Sequence, residues 1–291
     1  KYGEYTHCGS PCLPATYKSE IQSLMRLDEL REHKILALDL ETTGLYPHQG
    51  DKLFCGALAS GNKTWFFERE KLLEILGELF KDPDILWVNH NLKFDLGFLK
   101  NEGLEAKGTF WCTKSGARLQ HNNHMQYSLE KCAERIGEKK DDAVKKYMDD
   151  HVLWEWVVIP GKKTRKKNYH FDEVPLHIIE PYCRQDALAA FKLYEHQVAS
   201  FRATDELALA AGKKVSAPAV NLEMAMIPVL VDMHHEGILI DKKYCQEASR
   251  FERNRIQLAK EGFKLAVGKD LIDSAKELFW VGLFLACLHG F

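Results

Sequence analysis

The sequence predicts an α/β domain followed by a helical segment, on three observations. Residues 34–39, Leu53–Ser60 and 85–88 are compact apolar runs of strand length. Residues 68–81 and 91–101 carry apolar side chains at helical spacing, so strands alternate with helices. The composition, 45% apolar and 28% charged, is that of an ordinary globular chain and excludes disordered and collagen-like classes. A length of 291 residues favours one sizeable domain and a smaller one. The boundaries expected are a lead-in over 1–29, the α/β domain over 30–205 and a helical segment over 206–291.

The elements follow in order. Residues 1–20 hold two prolines and two glycines with little periodicity, an irregular lead-in, and a short helix is expected near 20–32. The run KILALD at 34–39 ends on an acid, as a central strand does when it carries a side chain to its carboxyl edge. Strands over Leu53–Ser60 and 64–67 turn at Gly61-Asn62. A helix over 68–81 closes at Asp82-Pro83, a buried strand follows at 85–88, and a helix over 91–101 stops at Gly103. An edge strand at 110–112 precedes a helix over 128–136, capped by Ser128 and ended by Gly137. Between 141 and 174 the pattern weakens, and GKKTRKK at 161–167 reads as a loop, either a solvated surface or a flap that contacts phosphate. A helix over 178–201 has Pro181 near its first turn, residues 203–219 read as a linker or loose helix, and 221–233 and 242–266 are helical.

A formal charge of −2 does not suit a protein that coats duplex DNA, but a carboxylate site with metal ions can attract phosphate without a basic surface. The eight cysteines include no CxxC pair, and no signal-peptide pattern precedes them. They read as reduced thiols of a cytoplasmic or nucleoid-associated protein, with His7, Cys8 and Cys12 too few to hold zinc alone. No apolar stretch has the length of a membrane span. The apolar run at 278–288 reads as a buried segment or an interface.

Three segments carry candidate chemistry. Asp39 and Glu41 stand at i and i+2 at a strand end, so both point the same way. Two carboxylates held close repel unless protonated or compensated by a cation. Asp95 ends the run Asn91-Leu92-Lys93-Phe94-Asp95 after the second buried strand, and Tyr182 and Asp186 stand at i and i+4 on one face of a late helix. Each segment alone also fits a structural role, while their order makes a specific signature.

These segments resemble the three acidic motifs of the DEDD exonuclease superfamily, in its tyrosine-containing branch, as found in the proofreading domain of family A DNA polymerases. Gln126-Tyr127-Ser128-Leu129 is similar to the start of a helix of that family, and the resemblance covers about residues 30–205. Residues 228–241 and 272–278 resemble the opening of a polymerase thumb, and no palm or fingers can be assigned. The family pattern has an aspartate where this chain has Cys112, which puts local packing in question more than chemistry. The resemblance implies a ribonuclease H-like mixed five-stranded sheet flanked by helices. It also implies a 3′→5′ exonuclease that acts on single-stranded or frayed DNA 3′ ends and releases nucleoside 5′-monophosphates. Asp39, Glu41 and Asp186 would hold one Mg²⁺ or Mn²⁺, with Asp39 shared with a second that Asp95 supports, about 4 Å apart. Tyr182 would orient the attacking water with Glu41, and Thr42, Leu45, Asn91 and Phe94 would touch the terminal bases; for Phe94 a plain core role is equally open. Two rivals stand: an RNA-trimming exonuclease of the same superfamily, and a non-catalytic module that docks on a separate polymerase chain.

Overall fold

The computed structural model describes residues 25–138, 142–158, 164–268 and 270. A helix over 25–31 (α1) leads into β1 (Ile35–Thr42), which pairs antiparallel with β2 (Leu53–Ser60), itself antiparallel to β3 (Lys63–Glu68). After α2 (Arg69–Leu79), β4 (Leu86–Asn89) returns parallel to β1. Then α3 (Lys93–Asn101) leads to β5 (Thr109–Cys112), parallel to β4. The sheet order is β3-β2-β1-β4-β5, the mixed five-stranded arrangement expected, with β1 at its centre.

Alternation along β1 explains the two layers. Leu36, Leu38 and Leu40 enter a cluster with Leu58, Leu72, Ile75, Leu76 and Phe98 on one face of the sheet. Ala37 enters the other, with Cys55, Ala57 and Ala59 of β2. There the long helix α7 (Leu176–Ala210) crosses, presenting Cys183, Ala187 and Ala190. Small side chains on both partners let helix and sheet approach closely, so the polar residues of β1 on that face, Asp39 and Glu41, meet α7.

Several elements depart from expectation. Where the pattern weakens stand α6 (Ala143–Asp150) and an antiparallel hairpin of β6 (Trp154–Val158) and β7 (Arg165–Tyr169); residues 165–167 of the expected loop lie in β7, and 161–163 lie outside the described residues. The cations of β7 hid a strand that its cross-strand partners hold in place. A helix α4 (Thr113–Gln120) follows β5, and α5 (Leu129–Arg135) begins as expected, with the Ser128 hydroxyl accepting from the Lys131 amide at 3.3 Å. Pro181 lies in the second turn of α7 rather than the first, because the helix starts at Leu176. Residues 203–210 continue α7, and only 211–216 turn before α8 (Ala217–Glu236). Helix α8 buries Val220, Met224, Ile227 and Val231 with Leu92, Leu96 and Cys112. It belongs to the compact unit that runs to Glu236.

A second unit begins at Gly237 and contains α9 (Lys242–Val267), capped by the Asp241 carboxylate accepting from the Tyr244 amide at 3.0 Å. The lead-in through residue 24, with Cys8 and Cys12, and the apolar run at 278–288 lie outside the described residues. The five cysteines among the described residues are free. No helix among the described residues is long and apolar enough to cross a membrane.

Candidate active site

The site forms where β1 and β4 part. Their parallel ladder runs from Ile35↔Leu86 to Ala37↔Val88 and stops. Beyond it, the side-chain amide of Asn89 donates to the Leu38 carbonyl in place of a backbone N–H. The Asp95 carboxyl accepts from Asn89, from its own amide and from the amide of Leu40, which lies between Asp39 and Glu41. Asp95 is 4% exposed, and burial outweighs these hydrogen bonds, pushing its carboxyl up to about 8.

Chain reversal before Asp95 depends on Asn91, whose φ of 73° is left-handed, a conformation Asn tolerates better than most residues. The helix therefore begins at Lys93, two residues after the expected start, and the Phe94 amide donates to the Asn91 carbonyl at 2.8 Å. Behind this turn, His90 Nε2 lies 2.8 Å from the Tyr127 carbonyl, which can only accept, so the ring proton sits on Nε2. Nδ1 lies 2.9 Å from the Thr113 hydroxyl, which also reaches the Asn89 carbonyl at 3.3 Å. From the sequence, Asn89 and His90 belonged to the second acidic segment without a role and Thr113 had none, because single polar residues at strand and helix ends carry no periodic signal.

On β1, Asp39 pairs across to Ala57 and Glu41 to Cys55, and the register slips after Glu41, where Thr42 pairs with Leu53 and skips Phe54. That bulge ends the regular strand just beyond the acids. Asp39 is half-buried and Glu41 buried. Gly56 backs them: a β-carbon there would stand 2.9 Å from the Asp39 carbonyl oxygen and 2.7 Å from Leu72.

Helix α7 completes the site. Asp39, Glu41 and Cys183 each offer an atom within 4.8 Å of the others, the one group among the described residues close enough to hold a cation. The Cys183 thiol lies 3.9 Å from Asp39 Oδ2, and burial, the neighbouring Cys55 thiol and the acids push its ionisation well up. Without a cation it is a neutral thiol, and the carboxylate oxygens beside it fit a hard ion such as Mg²⁺ or Mn²⁺. Tyr182 is shifted strongly upward by burial and by the charges of Asp186, Glu41 and Asp39. Burial and three negative charges thus keep that phenol protonated, while Asp186 and Asp95 lie outside the close group of Asp39, Glu41 and Cys183. Asp186 is 5% exposed.

The residues expected to touch substrate are less concentrated. The Thr42 hydroxyl donates to the Gly44 carbonyl at 2.7 Å, and Leu45 is 53% exposed on the loop after β1. The Asn91 carboxamide oxygen accepts from Lys114 Nζ at 3.2 Å. Phe94 packs against the core with its ring 5.0 Å from Phe98. Cys112, in place of the family's aspartate, fills the apolar cluster under α8, and its amide meets Met224 Sδ at 3.1 Å.

The chain is 28% identical to DNA polymerase DpoZ of Salmonella phage PMBT28 over 74% of its length, covering 32% of that protein. It is 24% identical to DNA polymerase I of Pseudomonas aeruginosa over 87% of its length, covering 27% of that protein. The chain thus spans about a third or less of the length of these relatives. Its fold is similar to that of Brucella melitensis NrnC bound to pGG, with a TM-score of 0.50, 18% identity and coverage of 70% and 86%. It is also similar to the POL domain of Pol1 from M. smegmatis, with a TM-score of 0.57, 17% identity and coverage of 87% and 38%. The model of the 3′-5′ exonuclease family matches residues 15–197, more than half of the sequence, and the chain belongs to that family.

Proposed function

We propose that the chain is a metal-dependent 3′→5′ exodeoxyribonuclease that releases nucleoside 5′-monophosphates from single-stranded or frayed DNA ends. The observation that carries this reading is the approach of Asp39 and Glu41 within reach of one cation where α7 crosses them, with Tyr182 and Asp186 on that helix and Asp95 bound to the Leu40 amide between the two. The choice of DNA rests on the relatives, which are DNA polymerases.

Asp39, Glu41 and Asp186 would hold one Mg²⁺ or Mn²⁺, and Asp39 with Asp95 a second. Bound there, the ions supply charge to the scissile phosphate and lower the pKa of a water molecule. The chain's own groups do the rest. Tyr182, kept protonated, orients a water by hydrogen bonding, with Glu41 beside it as acceptor. Asp95 would hold that second cation as a carboxylate, so binding there would release its proton. Leu45, exposed beyond the β1 bulge, offers an apolar contact to a terminal base, with Thr42, Asn91 and Phe94 around it. The stretch after 205 is read as the opening of a polymerase thumb, which makes a polymerase domain a partner to test.

The test is release of mononucleotides from a 3′-labelled single strand, with Mg²⁺ or Mn²⁺ and with chelator, on DNA and RNA of one sequence. Cation-dependent release from DNA supports the reading. Equal or faster release from RNA favours the RNA-trimming alternative, and no release from either leaves a non-catalytic module.

A further inference from the structure

The β6–β7 hairpin stands apart from the five-stranded sheet as a two-stranded sheet of its own. Its register sets Trp154 opposite Tyr169, Trp156 opposite Lys167 and Val158 opposite Arg165. Side chains alternate along each strand, so these six share one face, while Glu155, Val157, Lys166 and Asn168 share the other. The first face is aromatic and cationic.

Part of that face is internally tied. Lys167 Nζ sits 4.0 Å from the centre of the Trp154 ring and 2.6 Å from Asp149 Oδ1, and the Trp154 and Trp156 rings meet edge-on at 5.5 Å. Trp156, by contrast, is 55% exposed, and Arg165 across the ladder is exposed as well. An indole left largely in water beside an exposed guanidinium adds little to a hairpin's own stability. It suits a surface that stacks on flat rings and pairs with phosphates.

The inner end of the face reaches the candidate active site. Tyr169, Phe171 and Met148 line a cavity of about 500 Å³ together with Tyr182, and the Phe171 ring stands 6.3 Å from that of Tyr182. Lys145 and Lys146 also line it, facing Glu130, Asp142 and Asp149, so its charge is mixed. From Trp154 to Val158 the face extends four residues, about 13 Å at the rise of a strand. A single strand whose 3′ end lies at Tyr182 therefore has an aromatic, cationic track beside it.

We infer that the face bearing Trp156 and Arg165 is a subsite for single-stranded DNA, stacking a base upstream of the scissile phosphate on Trp156 and pairing its phosphate with Arg165. This deepens the exonuclease reading and rests on it. A single strand fits better than a duplex, because its bases are free to stack on an exposed ring and no base edge need be read.

The experiment compares the full chain with Trp156→Ala, Trp156→Phe and Arg165→Glu, all at exposed positions and checked for fold by circular dichroism. Two substrates are used, a DNA dinucleotide and a single strand of about sixteen nucleotides. Trp156→Ala should raise KM for the long strand roughly tenfold, in line with the loss of one stacked base, with dinucleotide hydrolysis unchanged and the Phe variant largely retaining function. Arg165→Glu should weaken long-strand binding and flatten its salt dependence. Unchanged KM and affinity for the long strand in both variants, or equal losses on the two substrates, would overturn the subsite. If the unaltered chain hydrolyses neither substrate, the exonuclease reading fails separately. Equilibrium binding of the labelled long strand to the same variants then still decides the hairpin.

Discussion

The backbone amide of Leu40 donates a hydrogen bond to the carboxyl of Asp95, so the first turn of α3 is fastened between the two acids of β1. The contact takes the place of ladder pairing where β1 and β4 separate. Asp95 is therefore a group whose position and protonation both depend on strands remote in sequence.

Its raised pKa has a defined sign. The carboxyl titrates near 4 in an unfolded chain and near 8 when folded without a cation. Its contribution to stability is thus fully present below about pH 4 and is lost as pH rises through about 8. In chelator, the melting temperature should decline across that window, and Asp95→Asn should flatten the decline. Cation affinity should rise with pH and level off above about 8, because binding displaces the proton. Thermal melts with chelator and with Mn²⁺ across pH check both statements, and a slope identical in Asp95→Asn would contradict them.

Asp39→Ala and Asp186→Ala should each abolish cation-dependent nucleotide release while preserving the circular dichroism spectrum. Each also relieves repulsion among crowded acids, so the cation-free melting temperature should hold or rise, and the stabilisation by Mn²⁺ should shrink. Release at the unaltered rate from either purified variant would remove that residue from the site.

Tyr182→Phe keeps the ring that meets Phe171 and deletes only the hydroxyl. The expected loss is on the order of a hundredfold in kcat with KM little changed, the mark of a misplaced water. Because burial and the nearby acids hold the phenol protonated, no phenol ionisation should appear in the alkaline limb of the rate profile of the unaltered chain. Rate measurements from neutral pH upward test both.

Gln197, 1% exposed, bridges helix and sheet: its Oε1 accepts from the Trp111 indole at 2.9 Å and its Nε2 donates to the Thr113 carbonyl at 2.7 Å. Gln197→Leu strands both buried partners, each costing about 1–3 kcal/mol. Urea unfolding should show a loss of roughly 2–6 kcal/mol, with residual activity per folded molecule close to normal.

The strands and helices of the sheet domain were legible because their apolar residues keep a period of two or of three to four, as in β1 and α2. The spacing of Asp39 with Glu41 and of Tyr182 with Asp186 was legible for the same reason, since local geometry sets which side chains share a face. Strand β7 was not, because RKKNY is held by its partners across the hairpin and by the Lys167 contacts to Trp154 and Asp149, all set by folding. Nor was the length of α7, whose alanine-rich end looked like a linker when judged without its neighbours.

By itself the sequence determined the sheet, the order of the acidic motifs and the resemblance that goes with them, because these rest on periodicity and spacing within single segments. Only the tertiary structure decided that Asp95 would be buried against Leu40, that Cys183 would sit as a neutral thiol beside Asp39, and that the hairpin would lead to Tyr182. Each of those is a contact between segments far apart in the chain, and burial, charge repulsion and register act on them only after the layers have packed.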